Sequence, residues 1–311
     1  MEKVSVIGTG LMGNTITLAI AWADVPVIIY GLNDTETENA KNYINKEIET
    51  LIKSQLIDKN KAKQITESIE YSTDLKETAK HATFIIEAVP ENLEIKLELF
   101  SKLESYCAKD TIFASNSSSL PPTKMAQNLQ YPERVLGAHF WNPAHLVPLV
   151  EIIRGEKTTD RFIERAKELI YTIKKDPILV NKDVVGFVGN RLQFAILREA
   201  QYLYETGVAS IEDIDKAVQL SIGRRLGVTG PFLSADLGGL DVFKSISDYT
   251  FSDLSNQKKA SRTIDELVNN GNLGEKTGKG YYDWNEETGN EIKQKRQEEL
   301  IHWLKKDLKN N

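Results

Sequence analysis

Six residues constrain this chain more than any others: Gly8-Thr9-Gly10-Leu11-Met12-Gly13, placed directly behind the apolar run Val4-Ser5-Val6-Ile7. A G-x-G-x-x-G pattern alone carries little weight, because glycines recur in many loops. Here a short strand precedes it and an apolar helical stretch, Leu11 to Ala23, follows, and that context makes it a dinucleotide-binding turn. Gly8 permits the sharp exit from the strand, Gly10 leaves room for a pyrophosphate beside the backbone, and Gly13 lets the helix lie close on the sheet. The helix start at Leu11 and Met12 offers unpaired N–H groups and a positive dipole end to the anion.

The rest of the first half repeats that alternation. Apolar, β-branched runs at Val4–Ile7, Val25–Tyr30, Thr83–Glu87, Thr111–Ala114, Val135–Ala138, Leu149–Ile153 and Ile178–Val180 are separated by amphipathic stretches, the longest from about Asp34 to Gln55. Strands alternating with helices predict a doubly wound, mostly parallel α/β sheet. After Asn181-Lys182-Asp183 the strand signal stops. Helical patterns follow at Phe187 to Glu205, Ile211 to Leu220, near Val242, Lys258 to Val268 and from Ile292, where Leu300, Ile301, Leu304 and Leu308 form one stripe. The expected division is a dinucleotide-binding domain over residues 1–183 and an all-helical domain over 184–311, with the ligand in a cleft between them.

At 311 residues, with 41% hydrophobic and 27% charged residues, the chain is long enough for two domains of ordinary globular composition. Its net charge of −6 and scattered basic residues give no footprint for nucleic acid. The longest apolar stretch, Leu18 to Tyr30, is broken by Asp24 and Pro26, so no membrane span is expected. The N-terminus leads straight into a strand, leaving no room for a signal peptide, and a single cysteine, Cys107, fits a reducing cytoplasm. No Cys, His and carboxylate cluster has metal-ligand spacing, so no metal is expected.

Among four histidines, His81 and His302 read as surface residues, whereas His139 and His145 flank His139-Phe140-Trp141-Asn142-Pro143 between two strands. If those strands form a hairpin turning near His145, His139 falls opposite Glu151. A carboxylate beside an imidazole fixes its tautomer and raises its basicity, which suits a base that takes a hydroxyl proton while hydride leaves the same carbon. A structural hairpin with two incidental polar residues is the alternative.

With these segments joined by Glu87-Ala88-Val89-Pro90-Glu91-Asn92-Leu93, Ser115-Asn116-Ser117-Ser118-Ser119-Leu120, Gly186-Phe187-Val188-Gly189-Asn190-Arg191, Gly230-Pro231-Phe232 and Lys276-Thr277-Gly278-Lys279-Gly280-Tyr281, the chain resembles the 3-hydroxyacyl-CoA dehydrogenase family over essentially its whole length. That resemblance implies an NAD-dependent oxidoreductase, dimeric through its helical domain. It makes His139 the base, Glu151 its partner, and Ser118 and Asn190 the groups that hydrogen-bond the substrate oxygen. Ala88, Glu91, Lys96, Asn142 and Lys276 match positions that line the cofactor.

Three departures matter. Where the family carries an aspartate for the adenosine ribose at the end of the second strand, ungapped matching places Gly31, with Asn33 or Asp34 as possible substitutes, which leaves NADP admissible beside NAD. Where the family's long helix offers a serine and a lysine to coenzyme A, this chain has Glu47 and Ser54, with Lys46 and Lys53 one residue away. Arg224-Arg225 and Pro148-Leu149-Val150-Glu151 are more like the branch acting on free hydroxy acids, such as the L-carnitine and L-gulonate dehydrogenases, where Arg225 would hold a carboxylate. The expected substrate is an L-3-hydroxyacyl-CoA, with a free 3-hydroxy acid as the alternative. A non-catalytic dinucleotide sensor or structural protein would have no use for His139, Glu151, Ser118 and Asn190 together.

Overall fold

In the computed structural model, which describes residues 2–310, eight strands form one sheet: β1 (Val4–Ile7), β2 (Val27–Tyr30), β3 (Ile69–Ser72), β4 (Phe84–Glu87), β5 (Ile112–Ser115), β6 (Val135–Phe140), β7 (Leu149–Arg154) and β8 (Asp176–Val180). Their order across the sheet is β3-β2-β1-β4-β5-β6-β7-β8. Every pairing is parallel except β6 with β7. The central strands β1, β4 and β5 are buried along their whole length, as a parallel sheet covered on both faces requires. From β1 the chain first winds outward to β2 and β3, then crosses to β4 on the other side. The resulting switch point opens a crevice at the carboxyl ends of β1 and β4.

Helices α1 (Leu11–Trp22), α2 (Asp34–Lys53), α3 (Lys59–Glu67), α4 (Leu75–Lys80), α5 (Leu93–Tyr106), α6 (Pro122–Met125) and α7 (Asp160–Thr172) accompany the sheet. The second part is helical: α8 (Gly189–Glu205), α9 (Ile211–Ala217), α10 (Gly223–Leu226), α11 (Pro231–Gly238), α12 (Leu240–Thr250), α13 (Arg262–Asn269) and α14 (Glu286–Asn310). The expected fold class therefore holds. Strand β3 was not expected from the sequence: Ile69-Glu70-Tyr71-Ser72 is a short edge strand with one buried side chain, so it lacks the continuous apolar run of its neighbours.

The chain divides into two compact units, one running to Asn190 and resuming at Arg296, the other Arg191–Lys295. The tail thus differs from expectation. The sequence pattern places its stripe in the helical domain, yet Ile301 and Leu304 are buried within the core cluster of the sheet unit, with Leu300 packed against it. Hydrophobic burial decides the matter, because that cluster offers α14 a covered apolar face. Gln297 on the same helix donates to the Glu47 carboxylate of α2 at 3.4 Å, and Glu47 also lies 3.4 Å from the buried His145. No helix among the described residues is long and apolar enough to cross a membrane.

Candidate active site

The turn after β1 shows why its glycines are there. Gly8 has φ +119°, and a Cβ on it would meet the Ala88 carbonyl oxygen at 2.6 Å. A Cβ on Gly13 would fall 1.9 Å from the Gly8 carbonyl oxygen, so helix and turn close on each other only without side chains. Gly10 is different: nothing lies within 4 Å of its Cβ position. It is the N-cap of α1 and supplies no side-chain cap, so the first N–H groups of that helix are left for a ligand. An open cradle at an uncapped helix start fits a dinucleotide pyrophosphate.

A cavity of about 880 Å³ extends from this turn, lined by Gly8–Met12, by Gly31, Leu32 and Glu36, by 88–91 and Lys96, and by Asn116 and Ser118. At one end Asn33 caps α2, its side chain accepting from Glu36 N at 3.0 Å. Glu36 then reaches back, and its Oε2 accepts from Leu32 N at 2.9 Å and from the Thr9 hydroxyl at 3.1 Å. On the other side the Lys96 ammonium is buried between Glu87 at 2.6 Å and Glu91 at 3.4 Å. Burial pushes the Glu91 carboxyl up, but hydrogen bonds from Ser117 and Ser119 and the nearby Lys96 outweigh it and hold it below its ordinary range.

The antiparallel β6–β7 pair puts His139 and Glu151 directly opposite each other. His139 Nδ1 lies 2.7 Å from Glu151 Oε2, and His139 Nε2 lies 3.1 Å from the Ser118 hydroxyl. With Nδ1 donating to the carboxylate, Nε2 carries the lone pair on the side of Ser118. The other Glu151 oxygen accepts from Val188 N and Gly189 N, each at 3.0 Å, at the start of α8. Gly189 must lack a side chain there, since a Cβ would fall 2.2 Å from the Trp141 ring. The chain reaches this position through Gly186 (φ +76°) and Phe187 (φ +48°); burial of the Phe187 ring beside Ile153 and Val180 offsets the strained backbone. Trp141 and Phe187 also flank the imidazole, with ring centres 5.6 and 5.7 Å away. Glu151 is fully buried, which alone would raise its carboxyl. The hydrogen bonds from His139, Gly189 and Val188 outweigh burial and hold it below the ordinary range. Asn190 follows on α8, and its side-chain amide donates to the Ser118 carbonyl at 3.5 Å.

Thus Gly8, Gly10, Leu11, Met12, Ala88, Glu91, Lys96 and Ser118 share one cavity, and Ser118 links it to His139, Glu151 and Asn190. Gly13 packs behind the turn, and Asn142 is exposed on the loop after β6, outside the cavity lining. Lys276, in the turn Glu275–Thr277, and Arg225, on α10, are exposed residues of the other unit. The Arg225 guanidinium has no partner among the described residues. Among those residues no group of three or more His, Cys, Asp or Glu is placed to hold a metal ion.

Sequence reasoning missed three features. Glu36 was legible as the fourth residue of an Asn33-Asp34-Thr35-Glu36 cap pattern. Glu87 is the buried partner of Lys96, a pairing that only the β4–α5 geometry brings about. The N–H groups of Val188 and Gly189 are backbone donors and leave no signature in residue type.

Two family models match the chain: one described as 3-hydroxyacyl-CoA dehydrogenase, NAD binding domain, over residues 3–184, and one described as 3-hydroxyacyl-CoA dehydrogenase, C-terminal domain, over residues 186–284. The 5-formyl-3-hydroxy-2-methylpyridine 4-carboxylate 5-dehydrogenase of Mesorhizobium japonicum is 33% identical over 301 residues, which cover 97% of this chain and 96% of that protein. A probable 3-hydroxybutyryl-CoA dehydrogenase of Bacillus subtilis is 35% identical over 289 residues, covering 93% of this chain and 99% of that protein. Among solved structures, a 5-formyl-3-hydroxy-2-methylpyridine 4-carboxylic acid 5-dehydrogenase, an NAD+-dependent dismutase, superposes with a TM-score of 0.90 at 32% identity over 97% of both chains.

Proposed function

Since this chain belongs to the 3-hydroxyacyl-CoA dehydrogenase family and is an NAD-dependent dehydrogenase, we propose that it interconverts the hydroxyl and oxo forms of a small free carboxylic acid, not of a coenzyme A thioester. The observation that carries this reading is the state of α2. Its Glu47 carboxylate is engaged by His145 and Gln297, and its Ser54 hydroxyl donates back into the helix to the Thr50 carbonyl at 2.8 Å. Neither side chain is left to hold a phosphorylated ligand, and a carboxylate there repels one. The helix that supplies Gln297 lies beyond residue 284, where the C-terminal family model ends. A relative named for a pyridine carboxylate matches 97% of the chain. Arg225, unpartnered among the described residues, is the proposed carboxylate anchor.

In the oxidative direction His139 Nε2 takes the substrate hydroxyl proton as the carbon–oxygen bond becomes a carbonyl. Glu151 holds the ring in the required tautomer and offsets the imidazolium charge, while its own charge is held by the α8 N-terminus. Ser118 and Asn190 orient the reacting oxygen and stabilise the charge that develops on it. The Gly8–Gly13 turn, Glu91 and Lys96 would hold NAD, whose nicotinamide would supply the acceptor for the hydride that leaves the same carbon.

Turnover with NADH tests the substrate class. Acetoacetate and 5-formyl-3-hydroxy-2-methylpyridine-4-carboxylate are to be compared with acetoacetyl-CoA. A higher kcat/KM on one of the free acids is expected. A higher kcat/KM on the thioester would overturn the proposal.

A further inference from the structure

We propose that Glu36, from the first turn of α2, is the residue by which this protein reads the adenosine ribose of its cofactor and discriminates NAD from NADP. A strand-end position cannot do so here, because residue 31 has no side chain and no space for one. A Cβ on Gly31 would lie 2.9 Å from the Thr9 methyl, 3.1 Å from the Thr37 methyl and 3.3 Å from Glu36 Cβ. Helix α2 starts so close to the end of β2 that its own first turn occupies that space. Of the other polar side chains nearby, Asn33 caps the helix, Asp34 is exposed outside the cavity lining, and Asn39 lines the cavity but carries no charge to oppose a phosphate.

Glu36 is the carboxylate that remains at this end of the cavity. One of its oxygens, Oε2, is fixed by Leu32 N and by the Thr9 hydroxyl, so the side chain is held in place before any ligand arrives. Its Oε1 has no partner among the described residues, while the side chain lines the same cavity as the Gly8–Met12 turn. A fixed carboxylate with one oxygen free accepts two hydroxyl donors of a ribose diol, and its charge opposes a 2′-phosphate on the same sugar. No arginine or lysine lines this end of the cavity to take up such a phosphate. The thread from Thr9 to Glu36 also ties the pyrophosphate turn to the ribose end, so both halves of the adenosine diphosphate are held by one preorganised loop pair.

Direct binding of NADH and NADPH, followed by nicotinamide fluorescence without substrate, tests the assignment in Glu36→Gln and Glu36→Ala. Glu36→Gln keeps an oxygen for Leu32 N, so it separates the charge from the loop contact. Both variants should lose about tenfold to a hundredfold in NADH affinity, the size of a lost charge-assisted hydrogen bond. NADPH affinity should hold or rise, so that the preference for NADH collapses. Thr9→Val, which removes a support but leaves the carboxylate, should keep the preference. Unchanged affinities in Glu36→Gln, or equal losses for the two nucleotides, would overturn the proposal, the latter marking Glu36 as a loop brace only.

Discussion

Glu151 divides its carboxylate between two tasks, with one oxygen 2.7 Å from His139 Nδ1 and the other receiving the N–H groups of Val188 and Gly189. The imidazole is therefore coupled through a single buried carboxylate to the start of the helix that carries Asn190. A change at Glu151 reaches both the orientation of the imidazole and the position of the amide.

The first prediction concerns this pair. His139→Ala should lower kcat by roughly two to four orders of magnitude, the range of general acid–base catalysis. Glu151→Gln should also lower kcat, because the ring loses the charge that stabilises its protonated form. Neither change touches the turn at Gly8–Gly13, so the dissociation constant for NADH should stay within about twofold of wild type. Stopped-flow turnover and fluorescence titration on the same preparations check both halves; near wild-type turnover in His139→Ala would remove the residue from the proposed role.

A second prediction follows from Lys175, which is buried and donates to the carbonyls of His145 and Val147. Burial pushes its ammonium down from 10.5 to about 8, only partly opposed by Asp176. Between those two values the unfolded chain binds the proton and the folded chain does not, so this group makes stability rise with pH across that window. The rise approaches roughly 3 kcal/mol, and Lys175→Met should abolish it. Urea unfolding of both proteins at pH 7.5 and 9.5 measures the difference. Glu151 acts in the same sense at the acid end: its depressed carboxyl adds stability above the ordinary carboxylate range, which is lost as the pH falls through its folded value.

The sheet, the nucleotide turn and the His139–Glu151 register were legible because each is set by local pattern: a strand-turn-helix, and a hairpin whose midpoint is fixed by counting. Glu36 was legible as a helix-cap partner, but its place at the far end of the cavity was not. The strand-end position holds Gly31, and Glu36 is brought to the cavity only by the packing of Thr9 and Thr37 around the empty Cβ position. The tail stripe was visible as a stripe, but the sequence does not state which core it covers. Ile301 and Leu304 find theirs on the sheet unit, nearly three hundred residues from β1.

A third prediction concerns the unit Arg191–Lys295. Ile214 is the buried hydrophobic residue of this unit, whereas Phe232, Leu237, Leu240, Tyr249 and Phe251 are exposed. Apolar exposure on this scale marks an interface, and symmetric pairing with a second copy is the simplest closed arrangement that covers it. Light scattering at micromolar concentration should give twice the chain mass. Phe232→Glu combined with Tyr249→Glu should shift the protein to monomer and lower its melting temperature. A wild-type chain that scatters as a monomer would reject the pairing.

The last prediction separates the two substrate classes by charge. Arg225→Met removes an exposed guanidinium that has no partner among the described residues. If it holds a substrate carboxylate, KM for the free acid should rise about tenfold to a hundredfold while kcat changes little, because a charge-assisted pair is worth roughly 1.5–3 kcal/mol. Reversing Lys46 and Lys53 to glutamate should leave turnover of the free acid unchanged. Both lie exposed on α2, and Lys53 is only loosely paired with Glu49 at 3.9 Å. With a thioester substrate the pattern inverts: the lysine reversals meet the phosphates of coenzyme A and raise KM, and Arg225→Met is silent. Steady-state kinetics of both variants on acetoacetate and acetoacetyl-CoA distinguish the two. Silent Arg225 beside damaging lysine reversals would return the protein to the acyl-CoA branch of its family.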